Sequence, residues 1–446
     1  MNKKLIALGC VFIVLLVVLI VILSSKKNTN NGTVNPTSSD QQINLIWWNL
    51  FEPKENVQPL IDAFEKDNPN IKIQYTQMGK DGIDSYYNEL EEGLTDTDVV
   101  TSPDIFPIHN TWVGKFQKNI TPAPASTVPA STLDDFYSIV KKDFYKSQKL
   151  YGLPLYLDSI AIIYNKTKLK EKGYQAPANT WNDFKTQAMD LTTRGQNNKI
   201  TYAGFSAFDP NTSEFYFDVM NQLFMQNDVI MVNSDGRTSG ISEDSKASDA
   251  FNYYKKFYDG NESTWNPDFK KDIAAFLENH LAMYAAPSWR LIDVLNYNKY
   301  YKLNLDIGVA TMPQLSGAGD YYWPTYWGMT VAKDSQYPEE SWKFIKFITE
   351  AEQLETLNKT VKDNGRPIGI IYPRLSLASN NQSDPYLAPY ATSLAKAQNW
   401  DMKDGWALKK AMDGIFSHNP EIDAVQGAVI KVISDLNKTT TPTPKD

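Results

Sequence analysis

Apolar and polar residues follow two different periods along the chain, and these predict alternating strands and helices. The first apolar run, 43–48, has strong β propensity and predicts a buried strand. Trp47 and Trp48 are adjacent in that strand, so they face opposite sides and one belongs to the core. The next apolar residues recur at helical spacing, at Val57, Leu60, Ile61 and Phe64. A strand with alternating polarity is predicted at 71–75.

The same alternation continues to the end of the chain. Further strands are predicted at 99–105 (broken near Pro103), 159–164, 305–309 and 329–331. Further helices are predicted at 86–94, 181–191, 339–349 and 423–436. Strands that alternate with helices are typical of an α/β sheet. Because 446 residues exceed one ordinary core, two or more domains are expected.

The amino-terminal segment carries a targeting signal. From Leu5 to Leu23 the chain has 19 consecutive uncharged residues, which as a helix would span roughly 28 Å, about one hydrocarbon core. We expect residues 1–24 to form an uncleaved transmembrane anchor that leaves the large domain outside. Lipidation at Cys10, after Leu8 and Gly9, is an alternative. A cleaved signal peptide is less favoured because no A-x-A-like site follows the run.

Composition narrows the classes of function. Residues 25–42 are small and polar and predict a flexible linker, and 438–446 predict a polar tail. The part of the chain from residue 43 onward holds 40 basic and 51 acidic residues, a net charge of −11, which argues against a nucleic-acid partner. Cys10 is the sole cysteine, so the soluble part offers neither a disulfide framework nor a cysteine metal site.

Five stretches together resemble the extracellular solute-binding proteins of ABC importers, of the maltodextrin-binding type. The most specific is YGLPLYLDSIAIIYNK, residues 151–166, which is similar to that family's first crossing between lobes. The other four are the segments 45–48, 102–106, 281–289 and 326–349. The resemblance extends over nearly all of residues 43–437.

The resemblance implies a two-lobed α/β fold, of the periplasmic-binding-protein type II, with the ligand held in a cleft between the lobes. The first lobe would comprise 43–157 and 331–375. The second lobe would comprise 159–326 and 376–437. It also implies a monomer that captures a small-molecule ligand, a sugar above all, and passes it to an ABC-transporter permease at the outer face of the membrane.

Several polar residues are candidates for ligand contact. Asn49 and Glu52 follow the first strand, and ligands of open α/β sheets lie beyond the carboxyl ends of strands. A solvated loop with Glu52 capping the next helix is the alternative. Asp104 follows the third predicted strand, with turn chemistry after Pro103 as its alternative. The resemblance places a ligand-binding carboxylate at Asp158. The alternative is that Asp158 is a hinge residue whose side chain hydrogen-bonds to the nearby backbone. Arg366 would reach the cleft or form a surface salt bridge.

The aromatic content of 13% also fits a ligand cleft, because Tyr and Trp combine an apolar face with a polar tip. The resemblance places a stacking ring at Trp289 and, more loosely, at Trp406. One of Tyr326 and Trp327 is expected to face the cleft while the other packs against the sheet. Tyr156 lies beside Asp158, with a place in the core as its alternative.

Aromatic rings with carboxylates suit a carbohydrate, but the same groups suit a polyamine, which remains an alternative. A cell-surface glycoside hydrolase is a second alternative, since it needs a carboxylate pair at a set separation. The sequence carries no G-x-S-x-G, P-loop or H-E-x-x-H signature. We therefore expect a binding protein without catalytic residues, metal or cofactor.

Overall fold

The computed structural model describes residues 42–94, 102–243, 245–317, 319–418 and 420–440. For residues 437–440 it describes the backbone alone. Its strands are β1 (Ile43–Leu50), β2 (Ile71–Met78), β3 (Ile105–His109), β4 (Ile120–Thr121), β5 (Tyr145–Lys146), β6 (Lys149–Leu150), β7 (Ala161–Asn165), β8 (Thr193–Arg194), β9 (Ile200–Phe205), β10 (Leu281–Ala286), β11 (Ile307–Ala310) and β12 (Trp327–Ala332).

The α-helices of these residues are α1 (Lys54–Asp67), α2 (Ile83–Gly93), α3 (Val113–Phe116), α4 (Ser138–Phe144), α5 (Lys166–Glu171), α6 (Trp181–Leu191), α7 (Tyr216–Gln226), α8 (Ser245–Lys255), α9 (Asp272–Leu277), α10 (Ser288–Tyr300), α11 (Pro338–Ile348), α12 (Ala351–Asp363), α13 (Ala378–Gln382), α14 (Ala388–Leu394), α15 (Gly405–Phe416) and α16 (Ile422–Thr440). Short 3-10 turns lie at Gln117–Asn119, Ala130–Asp135, Gln196–Asn198 and Leu375–Leu377.

Two five-stranded sheets organise the fold, as the α/β pattern predicts. The first has the order β2-β1-β3-β12-β4 and the second β11-β7-β10-β9-β8. In the first sheet β1 pairs parallel with β2 and β3, while β12 runs antiparallel to β3. The carboxyl ends of β1 and β3 and the amino end of β12 therefore meet at one edge. The fold is two-lobed and α/β.

Each sheet is sandwiched by helices that bury the predicted apolar faces. Trp47 is fully buried, and its ring contacts those of Tyr75 and Phe344 at centroid distances of 5.0 and 5.1 Å. Trp48 on the opposite face is half-buried, as the adjacent positions predict. The helix predicted at 181–191 is confirmed as α6. Its carbonyl at Ala188 lies so close to Gly204 of β9 that a Cβ there would be 1.8 Å from the oxygen.

Two segments of the chain run from one sheet to the other and hydrogen-bond to each other. The first leads from β6 to β7, and the carbonyl of Asp158 within it accepts from the amide of Thr325 in the second segment at 3.0 Å. The second joins β11 to β12. A third segment precedes α15, and its Gln398 amide donates to the carbonyl of Tyr322 in the second segment at 3.0 Å. These bonds place the third segment beside the two crossings.

Some predictions fall outside the described residues or need correction. The predicted anchor from Leu5 to Leu23 and the linker lie outside them. No helix among the described residues is long and apolar enough to cross a membrane. The third strand begins at Ile105, after Pro103, and residues 99–101 of the predicted 99–105 run lie outside the described residues. The lobe boundaries implied by the resemblance stay a prediction.

The close approach at Gly204 gives a direct test of packing. We expect Gly204→Ala to lower the free energy of unfolding by about 3 kcal/mol, because the new methyl overlaps backbone that cannot rotate away. Thermal unfolding followed by circular dichroism measures the loss. Gly414→Ala is the matched control: it lies within α15 with no atom within 4 Å of the new Cβ. That change should stabilise the protein by up to about 1 kcal/mol. Equal effects of the two changes would contradict the packing.

Candidate functional site

The carboxyl end of β1 carries the first group of polar residues. Asn49 is buried; its Oδ1 accepts from the amide of Leu50 at 2.9 Å, and its Nδ2 has no partner among the described residues. Glu52 is also buried, and its Oε1 and Oε2 accept from Nη2 of Arg366 at 2.5 and 2.8 Å. Nδ2 of Asn56 donates to the same Oε1 at 2.6 Å. The two predicted residues Glu52 and Arg366 thus form one neutral pair.

Asp104 is not brought to this edge. It directly precedes β3, and its Oδ2 accepts from the amide of Ile46 at 2.8 Å while its Oδ1 accepts from Ser335 Oγ at 2.5 Å. His109 at the other end of β3 is five residues away, roughly 16 Å along a strand. The sequence placed Asp104 after a strand, whereas it stands before one. Its carboxylate therefore links the middle of β1 to the turn that follows β12.

An aromatic wall covers the edge where β3 ends and β12 begins. The half-buried ring of Trp327 lies 5.0 Å from those of both His109 and Trp112, and Trp406 of α15 packs 6.2 Å from Trp112. His109 is held between Thr111 Oγ1 at 2.8 Å and Thr325 Oγ1 at 3.2 Å. Burial lowers the pKa of His109 to about 3, so its imidazole is neutral at physiological pH.

Tyr326 belongs to the core and not to this wall. It is buried, and its hydroxyl donates to Oδ2 of Asp143 at 2.8 Å. Asn110 and Asn399 donate to the same carboxylate at 3.1 and 2.7 Å. Burial raises the pKa of Asp143 to about 6 against these hydrogen bonds. Of the adjacent pair, Trp327 is therefore the residue left at the edge.

Asp158 lies in the first crossing and caps α10. Its Oδ1 and Oδ2 each accept from the amide of Ser288 at 3.0 Å, and Oδ2 lies 2.7 Å from Ser288 Oγ. Burial raises the pKa of Asp158 to about 7. Tyr156, two residues earlier, is within electrostatic reach of both Asp158 and the Glu52–Arg366 pair, and burial raises its pKa. The hinge interpretation of Asp158 fits these contacts better than direct ligand contact.

Trp289 is the most accessible of the predicted aromatic residues, with 47% of its surface exposed. The guanidinium of Arg290 lies 4.4 Å from the centre of its ring, and Phe215 meets it edge-on at 5.6 Å. Arg290 is itself clamped by Glu214 at 2.5 Å and Asp293 at 2.6 Å. One face of the indole is therefore supported, and the rest of the ring faces solvent.

Hydrogen bonds join Glu52 to Arg366 and Asp158 to Ser288, the residue before Trp289, while Asn49 lies near the end of β1 and Tyr156 two residues before Asp158. Trp327 and Trp406 form the aromatic wall, whereas Asp104 and Tyr326 stand apart. Sequence reasoning missed Arg290, whose partner Glu214 is 76 residues away, and Phe51, which is half exposed beside Glu52. Arg290 follows Trp289 directly and Phe51 directly precedes Glu52, and this adjacency to predicted site residues is the sequence feature that could have identified them. No metal-binding group of three or more His, Cys, Asp or Glu occurs within the described ranges.

The chain matches known proteins over most of its length. Residues 51–355 fit the family model described as bacterial extracellular solute-binding protein. A putative binding protein of Brucella abortus is 24% identical over 391 residues, which cover 84% of this chain and 88% of that protein. The maltotriose-binding protein of Pyrococcus abyssi is 21% identical over 416 residues, covering 88% and 77%. The sugar-binding protein MalE of Xanthomonas citri shares the fold, with a TM-score of 0.71 and 18% identity over 89% of this chain and 98% of that one.

The cap on α10 predicts an unusual pH dependence. Because the pKa of Asp158 is about 7 in the folded state and near 4 when unfolded, its contribution to stability is full below pH 4 and is lost as the pH rises through 7. Asp158→Asn mimics the protonated form, since its amide can donate to Ser288 Oγ. We expect the variant to match the original protein at pH 4 and to exceed it by roughly 4 kcal/mol at pH 8.

Urea unfolding of both proteins at pH 4 to 8 measures this difference, in which the other buried carboxylates cancel. Ser288→Ala is a control that keeps the titrating group but removes a hydrogen bond that lowers its pKa, so its stability should fall with rising pH at least as steeply as that of the original protein. A constant stability difference between Asp158→Asn and the original protein across this range would show that Asp158 is ionised throughout.

Proposed function

The chain belongs to the bacterial extracellular solute-binding proteins, and on that premise we propose that its cleft captures a neutral carbohydrate outside the cell and delivers it to an ABC-transporter permease. The observation that carries this proposal is that the charged side chains of the candidate site are already engaged within the protein. Glu52, Arg366 and Arg290 are held in ion pairs and Asp158 caps a helix, while the most accessible large side chains of the site are aromatic.

Ion pairs engage the charged side chains on both sides of the crossing. Glu52 is neutralised by Arg366, and Arg290 is shared by two carboxylates, those of Glu214 and Asp293. Near Trp406, Lys409 pairs with Asp413 at 3.0 Å and Lys410 with Asp84 at 2.8 Å. A cationic or anionic ligand would have to compete with these bonds. A neutral polyhydroxyl ligand needs only to exchange its water for the polar groups that remain.

The aromatic residues supply the other half of the recognition. A sugar ring has a flat apolar C–H face, and Trp289 presents a ring that is half exposed and supported from behind. Trp327 and Trp406 would form a second apolar surface at the edge of the first sheet. Pockets for small molecules combine such apolar lining with a few placed polar groups, and the unpartnered Nδ2 of Asn49 is one of these.

The two alternatives fit the charges less well. A polyamine needs carboxylates that are free to hold ammonium groups, yet Glu52 and Glu214 are each already bound to an arginine. A glycoside hydrolase needs one acidic and one ionised carboxyl group at the sugar, whereas Asp158 caps a helix and Glu52 is held in an ion pair. We therefore propose that the protein binds its ligand without catalysing a reaction.

Lobe closure would complete the site. In this proposal the lobes, 43–157 with 331–375 and 159–326 with 376–437, swing about the crossings, and a ligand that touches both favours the closed form. Residues Leu5 to Leu23 would keep the protein at the outer face of the membrane, with lipidation at Cys10 as the alternative attachment. A tethered receptor reaches its permease at a high effective concentration.

Isothermal titration of the protein with a panel of glucose, galactose, maltose, maltotriose and galacto-oligosaccharides, with spermidine alongside, tests the ligand class. We expect binding of at least one sugar, with an affinity that is nearly unchanged between 50 and 500 mM NaCl because no net charge is exchanged. We expect Trp289→Ala to weaken that binding at least tenfold, about 1.4 kcal/mol, through loss of the stacking face.

Tyr300→Ala is the matched control, since it removes a ring that is 78% exposed at the opposite end of α10. It should leave sugar binding unchanged. Binding of spermidine alone, with an affinity that falls steeply as salt is added, would replace the carbohydrate by a polyamine. Release of shortened sugars during incubation would instead support the hydrolase alternative.

A further inference from the structure

Phe51 combines two features that each cost stability. Its φ is +57°, in the left-handed region that a bulky side chain seldom adopts. Its apolar ring is also 52% exposed. Residues kept in such conformations concentrate at ligand-binding sites, where the surrounding structure enforces them. The positive φ and the exposed ring together therefore indicate that Phe51 has a function other than stabilising the fold.

A second phenylalanine shows what a structural explanation would look like. Phe208 also has a positive φ, of 73°, but it is 1% exposed and its ring contacts those of Phe251, Tyr254 and Phe416. Core packing offsets the backbone cost at Phe208. Among the described residues, no ring contact of this kind involves Phe51.

The backbone on either side holds Phe51 in its position. Its amide donates to the carbonyl of Met78 at 3.2 Å, and the amide of Glu52 donates to the carbonyl of Leu50 at 2.6 Å. Gly79 leaves room for the ring, because a Cβ there would lie 2.8 Å from Cε1 of Phe51. The turn after β1 therefore presents the phenyl group outward at the carboxyl edge of the first sheet.

The neighbours of Phe51 belong to the candidate site. The next residue, Glu52, is bound to Arg366, and its carbonyl accepts from the hydroxyl of Tyr75 at 2.5 Å. Further along the first crossing, Asp158 caps the helix that carries Trp289. A ring at this point has a buried, neutral ion pair beside it and solvent in front of it.

From this geometry we propose that Phe51 is a ligand-contacting residue on the first lobe, an apolar platform for the C–H face of one sugar unit. Unlike Tyr or Trp it carries no polar tip, so it selects the apolar face of a pyranose and contributes nothing to a charged ligand's hydrogen bonding. The inference rests on the proposed function and deepens it, because it assigns a specificity-determining residue to the lobe that lacks Trp289.

The test separates stability from binding. Phe51→Gly removes the ring and suits a positive φ, so its melting temperature should equal or exceed that of the original protein. Its dissociation constants for maltotriose and for galacto-oligosaccharides, measured by titration calorimetry, should rise at least tenfold for whichever of them the original protein binds. Phe51→Tyr keeps the ring and should restore affinity to within about threefold, whereas Phe51→Ala should lose affinity and stability together.

Each contrary result has a distinct meaning. A change of less than threefold in Phe51→Gly, while Trp289→Ala still weakens binding at least tenfold, would overturn the role of Phe51 and leave the proposed function standing. A lower melting temperature in Phe51→Gly with unchanged affinity would assign the ring to the fold. Failure of the original protein to bind any sugar of the panel would overturn the proposed function and this inference with it.

Discussion

The arrangement of the candidate site depends on one carboxylate, that of Asp158. Its side chain holds the first turn of α10, and its backbone carbonyl accepts a bond from Thr325 in the second crossing. One residue therefore takes part both in the cap of the helix that presents Trp289 and in the hydrogen bonds between two crossings. Four donor contacts keep the group in place even though burial raises its pKa, because each satisfies a lone pair that water no longer reaches.

Charge pairing around Asp158 follows from the same shortage of water. A buried carboxylate such as Glu52 is costly unless a cation and further donors accompany it, and Arg366 with Asn56 supply both. Arg290 likewise forms ion pairs with Glu214 and Asp293. One face of its planar guanidinium remains in contact with the ring of Trp289. In the proposed function the same pairs leave aromatic faces and neutral polar groups for contact with the ligand.

Local pattern predicted the elements well and the contacts between them poorly. The helix at 181–191 and the strand from Ile43 follow from periodicity alone, because each depends on neighbours within a few residues. The role of Tyr326 depends on Asp143, 183 residues away, and the pairing of Glu52 with Arg366 spans 314 residues. Asp104 was misplaced because Pro103 ends an apolar run and precedes the true strand. Resemblance to a family brought the right segments together, but it did not distinguish a ligand contact from a helix cap.

Phe51 shows a further limit of sequence reasoning, because a positive φ cannot be recognised in the sequence when the residue that adopts it is not glycine. In the sequence, Leu50 and Phe51 look like a continuation of the apolar strand. In the fold β1 ends at Leu50, and the following turn places a bulky ring where a small residue would be easier to accommodate. The neighbouring Gly79, with φ of +78°, provides the space that makes this arrangement possible. Phe51 and Gly79 together keep the phenyl ring at the surface in a strained conformation. Their simplest common explanation is that the ring contacts the proposed ligand.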